Sequence, residues 1–163
     1  MFTDEKYMTD LGGAVDKEQA LTVLKRHLSH IESGRGMVLK IIPTEGIDYF
    51  ANGYDSRALS ILRSGVGSVC MWKMESDGKE STEIGWGILP EFHGKGFGTK
   101  AVKALIDLAR MDGKEKWGTL HASTGVSNIA SNKLCKRLGF TFQTEFDMEF
   151  YGKFIKANRY ELS

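Results

Sequence analysis

The sequence predicts one mixed α/β domain with strand-helix-strand crossovers near its centre. Three observations carry this. The chain has 163 residues, within the span of one domain, and 41% of them are hydrophobic, enough to bury a core without staples. Segments of helical and strand periodicity alternate along it. In the middle, a strand-like run enters a glycine-rich loop and then, without a break, a helix.

Each element follows from local pattern. Asp16 followed three residues later by Gln19 has the form of a capping box, and Leu21, Leu24, Leu28 and Ile31 recur at spacings of three and four up to Gly34. An amphipathic helix over 16–33 follows. The apolar run MVLKII (37–42) reads as a strand that Pro43 stops. In 44–64, DSRALSILRSG fits a helical turn as well as a strand. Val66–Met74 and Ser81–Leu89 flank SDGK turn chemistry and pair most simply as an antiparallel hairpin. After Pro90 and the glycines, Ala101, Val102, Leu105, Ile106 and Ala109 mark a helix from Thr99 to Met111, closed by Asp112-Gly113. WGTLHAS (117–123) is a strand, and Asn128 caps a helix over Asn128–Leu138 that ends at Gly139. Phe140, Phe142, Phe146, Met148 and Phe150 alternate along one long strand; a turn near Gly152-Lys153 leads to a final strand over 154–162. No repeat or linker divides the chain, so residues 1–163 are read as a single domain.

Composition excludes several function classes. The 22 Lys and Arg against 21 Asp and Glu leave a formal charge of +1, far from the basic excess that nucleic-acid binding favours. Asp4 and Glu5 stand where a signal peptide needs an apolar run, and no apolar stretch of about 18 residues follows, which predicts a cytoplasmic protein with no membrane partner. Cys70 and Cys135 form neither a C-x-x-C pair nor a disulfide framework. His27 and His30 share a helix face, but no cysteine or carboxylate cluster accompanies them, so no metal is expected.

Glycine is the outlier, with 19 residues where average usage of about 7% would give fewer, and five of them lie between Gly85 and Gly98. The segment Pro90-Glu91-Phe92-His93-Gly94-Lys95-Gly96-Phe97-Gly98-Thr99 leads straight into a helix, so it can turn several main-chain N–H groups and the positive end of the helix dipole on one anion. The glycines let backbone approach closely, and Lys95 adds a charge. A P-loop is absent, because no Gly-Lys pair has a glycine five residues before its own. A dinucleotide fingerprint would need glycine where Thr99 stands. Both departures count against a nucleotide-phosphate binder.

The segment LPEFHGKGFGTKAV resembles the pyrophosphate loop of the GNAT superfamily of acyl-CoA N-acyltransferases, whose pattern is Gln or Arg, two residues, Gly, one residue, then Gly or Ala. His93, Gly96 and Gly98 hold those places. Farther on, Asn128, Ser131, Leu134, Gly139 and Phe140 are similar to the superfamily's N-x-x-S-x-x-L-x-x-x-x-G-F signature. The likeness is plain over 81–142, extends from about Asp4, and has the flavour of ribosomal-protein N-terminal acetyltransferases. It implies a single-domain GNAT-like fold, a mixed and mostly antiparallel sheet with splayed central strands flanked by helices. It also implies acetyl-CoA (coenzyme A) as acyl donor, with no metal. The residues it assigns to the cofactor are Ile88, Leu89, His93, Gly94, Lys95, Gly96, Phe97, Gly98, Thr99, Asn128 and Ser131. In two places the chain departs from the family: His93 replaces the usual Gln or Arg, and Met1–Asp10 is too short for the family's opening strand and helix.

What the resemblance implies mechanistically is direct transfer in a ternary complex to the primary amine of an acceptor. The amine must lose a proton before it attacks. Glu83, on the central strand, is the first candidate base, set against an exposed strand-start carboxylate. His121 is the second, set against a structural histidine. Cys135 occupies the place where many relatives carry an acid tyrosine, set against a small buried helix residue. A small molecule, an amino-acid or antibiotic amine and a protein N-terminus all stay open as acceptors, and a homodimer is compatible with the sequence. The alternative function is a non-catalytic acyl-CoA-binding or regulatory module on the same fold.

Overall fold

The computed structural model describes residues 2–43, 65–76, 79–150 and 152–163; the ambiguous stretch 44–64 lies outside them. The Asp4 carboxylate accepts a hydrogen bond from the Tyr7 N–H at 2.9 Å and caps α1 (Glu5–Met8). A 3-10 turn, Thr9–Leu11, leads on towards α2 (Lys17–Glu32). The capping box forms as the sequence predicts. Asp16 accepts from the Gln19 N–H at 2.8 Å, and the Gln19 side chain accepts from the Asp16 N–H at 3.1 Å.

One feature of α2 differs from what its sequence periodicity implies. Leu21, Leu24, Leu28 and Ile31 remain 43–52% exposed, while Val23 is buried and His27 and His30 stack on Trp72 with ring centroids 5.7 and 6.2 Å away. Spacing by three and four says which residues share a stripe; it does not say which stripe the sheet covers.

The remaining elements are β1 (Gly36–Ile41), β2 (Gly67–Ser76), β3 (Lys79–Ile88), α3 (Phe97–Met111), α4 (Lys114–Trp117), β4 (Leu120–Gly125), α5 (Ile129–Arg137), β5 (Thr141–Phe150) and β6 (Lys153–Leu162). The strand predicted at 117–123 starts only at Leu120, because Lys114–Trp117 closes a helical turn and Gly118 takes φ of 61°. The helix predicted from Thr99 starts two residues earlier, at Phe97. Among the described residues no strand precedes β1, where the resemblance would supply one.

The six strands run in the order β1-β2-β3-β4-β6-β5, antiparallel everywhere except between β3 and β4. Side chains alternate across it. On one face, Ile84, Leu120, Ala122 and Tyr160 join Val102, Leu105 and Ile106 of α3 and Leu134 and Cys135 of α5 in the main core. The opposite face carries Trp72, Glu83 and the glycines of β3, beneath α1 and α2. A Cβ at Gly85 would meet the Cys70 Sγ at 3.0 Å, and one at Gly87 would overlap the Tyr7 hydroxyl. At the end of β4, a Cβ on Gly125 would come within 2.6 Å of the Asp10 main-chain carbonyl. That oxygen belongs to backbone and cannot swing aside. Gly125→Ala is therefore expected to destabilise the fold by about 1–3 kcal/mol; an unchanged urea midpoint would contradict the close approach.

Candidate active site

The site begins where a pairing ends. β3 and β4 are in register only at Thr82↔Leu120 and Glu83↔His121. Beyond those two rungs β3 stays paired with β2 as far as Ile88, while β4 stays paired with β6 as far as Gly125, so the two strands part along their own antiparallel partners. A wedge opens between them. The Leu89 N–H donates to the Val66 carbonyl at 2.9 Å, which sets the phase of the β2-β3 ladder. In that phase the main-chain groups of Ile84, Trp86 and Ile88 turn away from β2 and into the wedge.

Asn132 fixes the β4 side. Its amide nitrogen donates to the carbonyls of Asn128 (2.7 Å) and Gly125 (2.9 Å). Its oxygen accepts from the Thr124 hydroxyl (2.9 Å), the Asn158 amide (2.8 Å) and the Tyr160 hydroxyl (2.9 Å). One side chain thus ties β4, the turn after it, α5 and β6 together. Just ahead of it, the Asn128 side-chain oxygen accepts from the Ser131 N–H at 2.9 Å, so the predicted cap forms and leaves the amide donors out of it.

At the mouth of the wedge, Pro90–Phe92 makes a 3-10 turn, Gly94 takes φ of 73°, and Gly96, at 78°, caps α3. The first main-chain bond of the helix runs from the Lys100 N–H to the Gly96 carbonyl at 3.1 Å. The N–H groups of Phe97, Gly98 and Thr99 come before it and face outward at the positive end of the dipole. A Cβ at Gly94 or Gly96 would meet nothing within 4 Å, so the space before these donors is open. Gly98 differs: its Cβ would touch Leu134 at 3.4 Å and Ile88 at 3.5 Å. His93 does not point outward alone, because its Nε2 lies 2.8 Å from the Ile88 carbonyl and latches the loop to the end of β3. The Lys95 ammonium stands 5.3 Å above the Phe92 ring.

A loop of free donors before open space fits a diphosphate, and a wedge edged with main-chain groups fits an extended amide-bearing arm. The comparisons agree. Residues 1–141 match the model of the acetyltransferase (GNAT) domain. The chain belongs to the GNAT acetyltransferase family. Among solved structures, it is similar to the apo ribosomal L7/L12 α-N-protein acetyltransferase RimL, at 17% identity over 96% of this chain and 77% of that one, with a TM-score of 0.67. The acetyltransferase from Salmonella typhimurium that modifies the N-terminal serine of ribosomal protein L7/L12 matches at 16% identity over 99% and 92%, with a TM-score of 0.65. The microcin C7 self-immunity acetyltransferase MccE, solved with acetyl-CoA and AMP, matches at 18% over 99% and 89%, with a TM-score of 0.63. At these identities the likeness establishes the fold. No curated protein sequence matches.

In this GNAT chain the floor of the wedge is Glu83. Burial pushes its carboxyl above the ordinary range, while hydrogen bonding from the Ser123 hydroxyl, the charge of Arg159 and the Ser123 main chain pull the other way. His121 sits beside it in register and is half-buried. Burial lowers its pKa, Glu161 opposes that, and Arg159 adds to it. The His121 Nδ1 and the Arg159 Nε are both buried without a hydrogen-bond partner. The Arg159 guanidinium lies 4.7 Å over the Phe146 ring. The structure places Glu83 and His121 side by side on one face of the sheet and Cys135 in the core on the other, still close enough for the Glu83 charge to act on its thiol. Cys135 is fully buried in the core among Leu134, Phe140 and Tyr160, and burial pushes its thiol up to about 12.

Several site residues carry no signal in the sequence. Ser123 and Arg159 reach Glu83 only because β4 lies between β3 and β6. Tyr7 reaches Gly87 only because α1 folds across the sheet. Asn132 is an unassigned position inside the family signature. Among the described residues no group of side chains could hold a metal. Where the start of α2 meets the turn between β5 and β6, a groove of about 320 Å³ is lined by Asp16, Glu18, Gln19, Thr22 and Gly152.

Gly96→Ala would place a methyl in front of the helix donors and strain a left-handed residue by roughly 1–2 kcal/mol. The variant is expected to fold, with acetyl-CoA affinity reduced at least tenfold in a calorimetric titration. Wild-type affinity in a folded Gly96→Ala would remove the loop from the cofactor site.

Proposed function

We propose that the chain, as a single GNAT domain, transfers an acetyl group from acetyl-CoA directly to a primary amine, with Glu83 as the base. The observation that carries this reading is the place of Glu83: a carboxylate raised by its surroundings, at the point where β3 and β4 part. Acetyl-CoA supplies an acyl carbon activated as a thioester. Gly94 to Thr99 hold its diphosphate with main-chain donors, Lys95 contributes charge, and His93 steadies the loop from the side. Ile88, Leu89 and the groups that Ile84 and Trp86 turn into the wedge line the path of the arm, while Asn128 and Ser131 close it from α5. Strand N–H groups also stand ready for the negative charge that grows on the acyl oxygen.

An acceptor arrives as an ammonium and must be neutral to attack. Glu83 accepts that proton, directly or through one water, and a raised carboxyl pKa makes it a better base once ionised. His121 keeps its neighbour's surroundings polar without adding a fixed charge, since burial favours its neutral form. Cys135 is assigned to the core, and protonation of the departing sulfur is left to solvent. The groove edged by Asp16 and Glu18 suits a cationic acceptor, whether a small amine or the N-terminus of a protein like the substrate named for the Salmonella enzyme. No helix among the described residues is long and apolar enough to cross a membrane, and a cytoplasmic location fits the use of acetyl-CoA.

Glu83→Gln tests the base. Its kcat with a primary amine should fall by about 10²–10⁴, and the acidic limb of the pH profile, along which the rate rises as Glu83 ionises, should disappear. Because the folded state holds the Glu83 proton to a higher pH than the unfolded chain does, stability falls as pH rises through that interval. The neutral glutamine should therefore be at least as stable at pH 7 as the wild type. Unchanged turnover in Glu83→Gln would overturn the assignment. Absence of transfer by the wild type to any amine, with acetyl-CoA bound, would favour the non-catalytic module.

A further inference from the structure

Arg159 is the charged group at the wedge that the transfer reaction leaves without a task. It stands on β6 level with Ser123 of β4, and Ser123 in turn hydrogen-bonds to Glu83 of β3. The strands thus set a guanidinium and a carboxylate on one face of the sheet with a hydroxyl between them. Among the described residues no ion pair within 4 Å includes Arg159. Its charge acts on Glu83 and on His121 through space alone, and the remaining acid nearby, Glu161, stands opposite His121.

An idle cation is costly in such a place. The Arg159 Nε is buried without a hydrogen-bond partner, and so is the His121 Nδ1, which lies diagonal to it across the β4-β6 ladder. Among the described residues no other buried side-chain polar atom is in that state. Buried polar atoms are normally satisfied, so two orphans side by side call for a group from outside the chain. The guanidinium is held in place nonetheless: it lies 4.7 Å over the Phe146 ring of β5, which fixes its plane without neutralising its charge. Its terminal nitrogens are not closed in with the Nε, which leaves that edge of the fork open. A planar fork of this kind takes a carboxylate or a phosphate through two parallel bonds.

We propose that Arg159 is a specificity-determining residue that binds an anionic group, a carboxylate or a phosphate, carried by the acceptor a few bonds from its amine. The inference rests on the reading of Glu83 as the base. The acceptor is then a zwitterion, with its ammonium drawn to Glu83 and its anion to Arg159, and the two contacts together aim the nitrogen at the thioester. Free amino acids and aminoalkyl phosphates carry such a pair of charges. A protein N-terminus does not, because its α-carboxyl is an amide, and a simple monoamine would leave Arg159 unpaired.

Binding is read on N-acetylated products, which carry no ammonium, by calorimetric titration into the protein saturated with CoA. The probes are N-acetyl L-amino acids against their carboxamides, and N-acetyl phosphoethanolamine against N-acetyl ethanolamine. In at least one pair the anion should bind at least about tenfold tighter than its neutral counterpart. Arg159→Gln should bring that ratio to near one, and Arg159→Lys, which keeps the charge but not the fork, should retain part of it. A preference in the first series assigns a carboxylate to Arg159, and a preference confined to the second assigns a phosphate. Turnover of the parent amines is measured on the same proteins, with Glu83→Gln alongside. The kcat/KM ratio of anionic to neutral acceptor should fall in Arg159→Gln by the same factor as the binding ratio, whereas Glu83→Gln should lower kcat for both acceptors. An anion preference that survives in an Arg159→Gln protein with an unchanged thermal shift on acetyl-CoA overturns the proposal. Equal losses for anionic and neutral probes overturn it as well, since Arg159 would then only set the Glu83 carboxyl. So does a wild type that prefers no anionic probe, a result that needs no variant and that leaves the base standing if amines are still acetylated. An Arg159-dependent preference without transfer to any amine supports the anion site and removes the base.

Discussion

Two rungs of parallel pairing hold the centre of the molecule. At Thr82↔Leu120 and Glu83↔His121 the two halves of the sheet are joined, and above that point each half follows its own antiparallel ladder. Were the pairing to continue, main-chain groups of β3 would be spent on β4 and no wedge would exist. Were it absent, Glu83 would lose the burial that raises its carboxyl and the Ser123 and Arg159 contacts that partly offset it. The usefulness of the site depends on the join being that short. Asn132 keeps it so, because its amide binds the end of β4 to β6 and to the first turn of α5, with every polar atom satisfied.

The two faces of the sheet divide the work. The face covered by α3 and α5 holds the main core, the glycine loop and the Asn128 cap, and its core residues are mostly apolar. The other face, under α1 and α2, collects what is polar and aromatic: Trp72 with two histidines of α2 stacked on it, Glu83, His121, and Arg159 over Phe146. The Arg159 Nε and the His121 Nδ1 buried there without partners are tolerated at a cost that core positions do not bear. α2 is the hinge of this division. It gives the sheet a face of small and aromatic residues and turns its leucines away from it.

Much of this was legible in the sequence, and the reason lies in range. The capping box at Asp16, the Asn128 cap and the glycine loop are decided within a few residues by φ, ψ and by which N–H groups a helix start leaves unpaired, so Gly94 and Gly96 announce their left-handed backbone locally. The start of β4 was misplaced because Trp117 and Leu120 are equally apolar, and only Gly118 between them reveals the turn. The α2 stripe was legible as a stripe, but not as an exposed one.

By itself, then, the sequence determined the secondary elements around the cleft, the glycine loop that opens α3 and the family signature, because each is a matter of neighbouring residues. The tertiary structure alone decided the environment of Glu83, the burial of Cys135, the reach of Tyr7 to Gly87 and the face that α2 turns outward. Those depend on strands brought together from distant parts of the chain. A carboxyl pKa or a buried thiol is set by what lies within a few ångströms in space, and no spacing along one segment encodes that distance.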